Sequence, residues 1–201
     1  MYYGEIKTCD IANGPGVRTT IFVSGCRHHC EGCFQPETWN FKYGKPFTEE
    51  TRDEILKSLK PDYIRGLTIL GGEPFEPENQ KVLVELLKDV RRYFPKKDVW
   101  CFSGYLFEEI TGKQECELKQ TSEGAMKDDL SDAHPRCDVT DEMLSLIDIL
   151  VDGEFQQDKK DLSLQFRGSS NQRIIRVAES LAAGEVVLWS DERSLEFQMR
   201  K

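Results

Sequence analysis

The sequence contains no run of about 18 consecutive apolar residues, the minimum for a membrane-spanning helix. Its first residues, MYYGEIKTCDIANGPG, also lack the apolar core of a secretory signal peptide. From these two absences we expect a cytoplasmic protein with no membrane partner. Thiols stay reduced in that compartment, so its cysteines are available for metal binding or redox chemistry.

Basic residues are too few to form a surface that binds nucleic acid across the whole fold. Lys and Arg number 27 against 36 Asp and Glu, and the formal net charge is −9. Broad DNA- and RNA-binding surfaces carry the opposite sign of charge, so we expect no nucleic-acid partner. The length of 201 residues, with 38% hydrophobic and 31% charged residues, suits one globular domain.

The cysteines do not form an even, regularly spaced set. There are 7 of them, of which Cys26, Cys30 and Cys33 lie close together. The others are isolated: Cys9, Cys101, Cys116 and Cys137. An odd and uneven set argues against a disulfide framework. The clustered cysteines are therefore candidates for metal ligands or redox groups.

Strand and helix patterns alternate along the chain. The strand signals are β-branched or short apolar runs that end at glycine or at a turn: VRTTIFVS (17–24), residues 66–70 in GLTILGGEP, DVWCFSGY, residues 147–151 and, as a possible last or edge strand, GEVVLWS. FTEETRDEILKSLK predicts a helix with Thr48 as its N-cap. A second helix has one apolar face, formed by Val82, Leu83, Leu86, Leu87, Val90 and Phe94. A third helix is expected from about residue 140.

This alternation predicts an α/β fold with a mainly parallel sheet. The units are too few for a closed eight-fold barrel, so we expect an open, partial β/α barrel or a short doubly wound sheet. We expect one domain over residues 1–201. Within it, the polar and aperiodic residues 111–140 predict a surface insertion, and residues from about 178 a C-terminal extension.

The spacing Cys26-x3-Cys30-x2-Cys33 has several chemical readings. Cys30 and Cys33 alone have the spacing of a thioredoxin-like redox pair. Zinc is a second reading, with His28, His29 or a distant cysteine as fourth ligand. The set Cys116, His134 and Cys137 offers another partial zinc site inside the insertion. The third reading is a four-iron cluster, because soft thiolates suit iron–sulfur chemistry and three ligands leave one iron open.

The same spacing at the end of the first strong strand resembles the signature of the radical SAM enzymes. A second match is GGEP (71–74), which follows the next strong strand and resembles that family's GGE motif. The resemblance implies a [4Fe-4S] cluster held by Cys26, Cys30 and Cys33. It also implies that the open iron binds S-adenosylmethionine, with Gly71, Gly72 and Glu73 at its methionine amino group. Reductive cleavage would then give methionine and a 5′-deoxyadenosyl radical.

The sequence departs from the broad family at the adenine contact. Many members carry an aromatic residue just before the third cysteine, where this chain has Gly32. The aromatic residue Phe34 follows Cys33 instead. We expect the segment Gly32, Cys33 and Phe34 to take over the adenine contact, partly through its backbone. The alternative is that Phe34 is part of the core.

Longer stretches resemble the activases of glycyl-radical enzymes, in particular those of anaerobic ribonucleoside-triphosphate reductase. They are DIANGPGVRTTIFVSGCRHHCEGCFQPETW, GGEPFEPEN, WCFSGY, LVDGEF and LQFRGSSNQRII. The resemblance implies that the adenosyl radical removes hydrogen from a glycine of the reductase's large subunit. It further implies flavodoxin as electron donor and a homodimer that associates with the reductase. No side-chain acid or base is required, so no catalytic residue is assigned beyond the cofactor-binding ones.

Two other functions remain open from the sequence. One is activation of another glycyl-radical enzyme, such as pyruvate formate-lyase. The other is a zinc-binding structural or adaptor module. Residues 103–105, Asp152 and residues 167–173 are weaker candidates for contacts with ligand or partner, and each is equally compatible with a structural turn or loop. Arg18 follows the GPG turn, where its guanidinium could meet a carboxylate, but by default we expect it at the surface. Cys9 and Cys101 are expected to be ordinary thiols, with Cys101 buried in its strand.

Overall fold

A computed structural model describes residues 1–114 and 134–190. It contains an α/β fold built on a seven-stranded sheet. The strands are β1 (Tyr2–Asp10), β2 (Val17–Val23), β3 (Lys45–Pro46), β4 (Ile64–Gly71), β5 (Asp98–Phe102), β6 (Ile149–Asp152) and β7 (Arg173–Arg176). The helices are α1 (Glu49–Ser58), α2 (Pro77–Tyr93), α3 (Phe107–Ile110), α4 (Thr140–Ser145) and α5 (Val177–Ala183). Short 3-10 turns occupy Pro36–Trp39 and Gln157–Lys159.

The sheet has the order β3-β1-β2-β4-β5-β6-β7. Its centre, β2-β4-β5-β6, is parallel, whereas β1, β3 and β7 join antiparallel at the two edges. The expected α/β fold with a mainly parallel sheet is therefore confirmed, and the sheet does not close into a barrel. Because the central strands are parallel, the loops that follow β2, β4, β5 and β6 all leave the same edge.

All three helices predicted from sequence patterns are present, the third of them as α4. In α1, the Thr48 side chain accepts a hydrogen bond from the Thr51 N–H, which makes Thr48 the N-cap as predicted. In α2, the apolar face is buried, although Val84 belongs to the core in place of Val82, which is only half-buried. Strand β1 was not anticipated, because its apolar and polar residues alternate poorly; seven of its nine residues face solvent at least in part.

The ends of the polar segment 111–140 pack on the domain. The Gln80 amide donates to the Pro135 carbonyl (2.6 Å), and Arg136 Nη1 donates to the Ile110 carbonyl (2.7 Å). Residues 115–133 lie outside the described part of the chain, so the central part of the expected insertion does too. Beyond residue 178, α5 leads to a bridge between Ile175 and Leu188, where an edge strand was expected.

Within the described ranges, no helix has the length and apolar character to cross a bilayer.

Candidate functional site

The cysteine loop begins directly after β2, at the edge where the parallel strands end. Cys26 is buried, and Cys30 and Cys33 are half-buried. The Cys33 N–H donates to the Cys30 carbonyl (3.2 Å), which forms a turn between the last two cysteines. All three line one cavity of about 550 Å³. The structure thus brings the predicted metal ligands to one site.

The Gly-Gly turn after β4 packs against the start of the cysteine loop. The Gly72 N–H donates to the Val23 carbonyl and the Glu73 N–H to the Gly25 carbonyl, both at 2.8 Å. A Cβ on Gly72 would lie 2.5 Å from Gly25 O, and Gly71 has a φ of +115°. Glycine is therefore required at both positions by backbone contact and conformation. Gly71, Gly72 and Glu73 line the same cavity as the cysteines.

The Glu73 carboxylate is buried and surrounded by donors from three loops. Its Oε1 accepts from the Phe75 N–H (2.8 Å) and the Ser103 hydroxyl (2.9 Å). Its Oε2 accepts from the Gly104 N–H (2.7 Å) and lies 3.3 Å from His28 Nε2. A carboxylate has about four acceptor positions. Three of these positions accept hydrogen bonds, so Glu73 links the loops after β4 and β5, with His28 of the loop after β2 in close contact.

His28 lies inside the cysteine loop between two carboxylates. Its Nδ1 is 2.8 Å from Glu154 Oε1, and its ring packs edge-on against Tyr105 at 4.3 Å. Burial alone would lower the pKa of His28, but hydrogen bonds with Glu154 and Glu73 outweigh it and raise the pKa to about 10. His28 Nε2 also lacks a well-formed hydrogen bond among the described residues. From the sequence, His28 was named only as a possible zinc ligand and Glu154 was missed, for which the LVDGEF stretch was the one signal.

The thiols of Cys26 and Cys30 are in an environment that disfavours free thiolates. Burial, followed by the charge of Glu73, raises the pKa of Cys26 well above its usual range. Burial, followed by the charge of Glu154, raises the pKa of Cys30 to about 12. Thiols of this kind ionise when a metal cation binds them.

Phe34 lies at the rim of the cavity. Its side chain is 63% exposed, so the alternative that it belongs to the core is wrong. The Phe34 ring is 5.0 Å from the Phe155 ring, and Lys160 Nζ lies 5.2 Å from its centroid. Leu162, which is 88% exposed, lies on the same rim. Gly32 has a φ of +71° and packs against Gln157, which accounts for a glycine at that position.

Asp152 has a structural role. It is fully buried and accepts hydrogen bonds from the Phe107 N–H (2.8 Å) and Arg173 Nε (3.0 Å). In the 167–173 segment, the Gln172 side chain accepts from the Gly168 N–H (2.8 Å) and donates to the Gly153 carbonyl (2.9 Å), which holds the cavity wall.

Arg18 was expected at the surface, and that expectation is wrong. Its side chain is fully buried and ion-paired with Asp98. Cys101 is buried in β5 and Cys9 is exposed, and neither lines the cavity.

The partial zinc set in the polar segment gains no support. Cys116 lies outside the described residues, and His134 is exposed. Within residues 1–114 and 134–190, no three His, Cys, Asp or Glu side chains converge closely enough for a single metal ion. A mononuclear ion draws its ligands to within about 2.0–2.3 Å of itself.

Comparison with known proteins is consistent with this site. Residues 12–175 match the family described as 4Fe-4S single cluster domain. The chain is 39% identical over 181 residues to the anaerobic ribonucleoside-triphosphate reductase-activating protein of Pasteurella multocida, covering 89% of this chain and 99% of the relative. It is 37% identical over 174 residues to the proteins of the same name from phage T4, covering 87% and 93%, and from Escherichia coli K12, covering 86% and 96%.

The cysteine loop, the Gly-Gly turn and these matches lie within one continuous region of the sequence. The chain belongs to the family of anaerobic ribonucleoside-triphosphate reductase-activating proteins, with a 4Fe-4S single cluster domain over residues 12–175.

Proposed function

We propose that the protein activates anaerobic ribonucleoside-triphosphate reductase by generating a glycyl radical in the reductase's large subunit. The observation that carries this proposal is the convergence of Cys26, Cys30 and Cys33 with the Gly71–Gly72 turn on one cavity of about 550 Å³. The open, mostly parallel sheet supports a partial barrel of the radical SAM type. The single domain over residues 1–201, with its insertion and C-terminal extension, is part of this proposal.

The residues fit a [4Fe-4S] cluster. Cys26, Cys30 and Cys33 supply soft thiolate ligands, and three ligands leave one iron for another molecule. The cavity, with buried His28 Nε2 on its wall, supports occupation by a polar group. When bound, the cluster would supply the electron that cleaves S-adenosylmethionine into methionine and a 5′-deoxyadenosyl radical, which takes hydrogen from the target glycine.

The protein's own groups would bind and orient S-adenosylmethionine. Gly71 and Gly72 let the backbone approach the methionine end closely, and Glu73 fixes that turn through its buried hydrogen bonds. Gly32, Cys33 and Phe34 would hold the adenine at the rim, where the Phe34 ring is available for stacking. No side chain is required as general acid or base.

The target glycine would enter through the rim formed by Phe34 and Leu162. Both side chains are exposed beside the cavity, and a glycine has no side chain to keep its Cα away from a reacting centre. We extend the proposal to flavodoxin as the electron donor and to a homodimer that associates with the large subunit, which the family resemblance implies.

An anaerobic assay tests the proposal. The protein is reconstituted with iron and sulfide, then given dithionite, S-adenosylmethionine and the reductase large subunit. We expect 5′-deoxyadenosine and a glycyl-radical signal in electron paramagnetic resonance (EPR). Cys30→Ala should abolish both, whereas Cys137→Ala, which alters a cysteine remote from the cavity, should retain them. A loaded wild-type protein that forms neither product with the reductase present would refute the proposal. Offering pyruvate formate-lyase in parallel distinguishes the two possible targets.

A further inference from the structure

Arg27, between Cys26 and Cys30, is held by two acidic residues of the loop and helix that follow β4. Its backbone N–H donates to Glu76 Oε1 (2.8 Å), and its guanidinium contacts Glu76 Oε2. Arg27 Nη2 also donates to Glu78 Oε1 (2.9 Å). The Glu76 side chain is fully buried, whereas that of Glu78 is 51% exposed. Glu76 therefore binds both the backbone and the side chain of Arg27 in the cysteine loop.

An aromatic ring supports the other side of the same segment. The Arg27 guanidinium lies 4.5 Å from the Phe41 ring centroid, a cation–π contact. That ring also occupies the space that a side chain at Gly25 would need. The segment Gly25–Arg27 is thus enclosed between a ring and a buried carboxylate.

Neither Arg27 nor Glu76 lines the cavity that Cys26 and Cys30 share. Their effect on a group in that cavity must therefore pass through the position of the loop. A buried carboxylate is stable beside its cation and costly without it, so the contact strongly favours one loop conformation. A site whose ligands are already ordered loses less free energy when it binds.

We propose that Glu76 is a positioning residue which, through Arg27, presets Cys26 and Cys30 to receive the iron–sulfur cluster. The inference rests on the proposed function, because it assumes a cluster on these cysteines. It adds a residue outside the cysteine and GGE motifs to the determinants of cluster binding.

The experiment compares Glu76→Gln with Glu78→Gln, which alters the exposed partner of the same arginine. Each protein is reconstituted anaerobically, and the loss of cluster to excess iron chelator is followed by absorbance. Outer-shell partners of metal ligands contribute about 10- to 100-fold in affinity. We expect Glu76→Gln to lose its cluster faster by that factor and Glu78→Gln by no more than about twofold, as for an exposed ion pair.

Two further measurements separate positioning from general stability. The unfolding temperature of the cluster-free proteins measures general destabilisation, which we expect to be larger for Glu76→Gln because only Glu76 is fully buried. The EPR spectrum of the reduced cluster should change in Glu76→Gln and stay unchanged in Glu78→Gln. Arg27→Lys tests the contact from the other side: it keeps a cation beside Glu76 but cannot bridge both carboxylates. It should also release the cluster faster.

The outcomes are distinguishable. A wild-type protein that takes up no cluster overturns the proposed function together with this inference. A loaded wild-type protein whose release rate equals those of Glu76→Gln and Arg27→Lys overturns only the inference. Equal acceleration of cluster loss in Glu76→Gln and Glu78→Gln also overturns the inference. So does a Glu76→Gln protein whose unfolding temperature falls in proportion to the faster cluster loss while its EPR spectrum stays unchanged.

Discussion

Arg18 Nη1 lies 2.5 Å from Asp98 Oδ1, and no part of the Arg18 side chain reaches solvent. The other guanidinium donors reach Thr68 Oγ1 (2.7 Å) and the Leu67 carbonyl (2.9 Å). Arg18, on β2, therefore connects three adjacent parallel strands, β2, β4 and β5, through buried contacts. The loops that line the cavity follow these strands, so the Arg18–Asp98 pair helps to fix the relative positions of those loops.

Removal of this arginine should destabilise the fold strongly. In Arg18→Met the carboxylate of Asp98 loses its buried partner, a change that typically lowers the free energy of unfolding by about 3–5 kcal/mol. Arg65→Met is the matched control, because Arg65 Nε also contacts Asp98 (2.9 Å) but its side chain is 66% exposed. It should cost about 1 kcal/mol or less. Urea unfolding of the cluster-free proteins measures both values; equal losses would show that burial does not govern the pair.

Addition of one methyl group to the turn after β4 should damage the site as well as the fold. The Cβ of Gly72→Ala would lie 2.5 Å from Gly25 O, so that either the turn or the cysteine loop must move. Overpacking of this kind costs about 1–3 kcal/mol, and S-adenosylmethionine binding should weaken with it. Gly184→Ala is the control. Gly184 has a φ of +75°, but no atom lies within 4 Å of the added Cβ, so the change should cost about 1–2 kcal/mol of unfolding free energy without affecting binding. Calorimetric titration of reconstituted protein measures S-adenosylmethionine binding, and urea unfolding measures stability, so the two methods separate the two effects.

Loss of the Phe34 ring should weaken ligand binding while leaving the fold intact. Because Phe34 is 63% exposed, Phe34→Ala removes little buried surface. An aromatic contact contributes about 0.5–1.5 kcal/mol, so the Kd for S-adenosylmethionine should rise about 2- to 12-fold. Tyr93→Ala, at a ring of comparable exposure away from the cavity, should change neither the Kd nor the unfolding temperature. An unchanged Kd in Phe34→Ala would remove Phe34 from the adenine site.

Stability in acid should depend on the pair formed by Glu108 and Arg173. Hydrogen bonds from Arg173 hold the pKa of Glu108 below its usual value of 4.5. A carboxyl with a lowered folded-state pKa stabilises the fold fully above its unfolded pKa, and loses that contribution as the pH falls through the folded value. Glu108→Gln should therefore be less stable than wild type at pH 6, by about 1 kcal/mol or less because the pair is partly exposed.

The difference between Glu108→Gln and wild type should shrink as the pH falls below 4.5, because the carboxyl of the wild type becomes protonated. Urea unfolding across this range tests it. Glu179→Gln, whose carboxylate lies 3.4 Å from Arg176 at an exposed position, serves as control and should show a smaller difference. A gap that stays constant as the pH falls below 4.5 would contradict the assigned cause.

The features that were predictable from sequence are those determined by neighbouring residues. Thr48 caps its helix through the Thr51 backbone, β4 ends at Gly71, and β2 ends at Val23, shortly before Gly25. The spacing of Cys26, Cys30 and Cys33 correctly placed all three on one cavity because they share a short loop.

Features that depend on distant partners were not predictable. Arg18 is buried because it pairs with Asp98 on β5, which lies 80 positions further along the chain. No residue near Arg18 in the sequence indicates that pairing. Glu73 was expected to face an ammonium group, yet its acceptor positions are used by Ser103 and Gly104 in the loop after β5. The same applies to β1, whose pairing with β2 compensates for its weak alternation.

The contact between His28 and Glu154 joins residues 126 positions apart. Long-range pairings of this kind form late, because the intervening chain must first lose its conformational freedom. A chain that has been synthesised only through β5 contains all three cysteines and the Gly-Gly turn but lacks the wall provided by the loop after β6. The cavity wall that includes Gly153 and Phe155 is therefore complete only when the loop after β6 is in place.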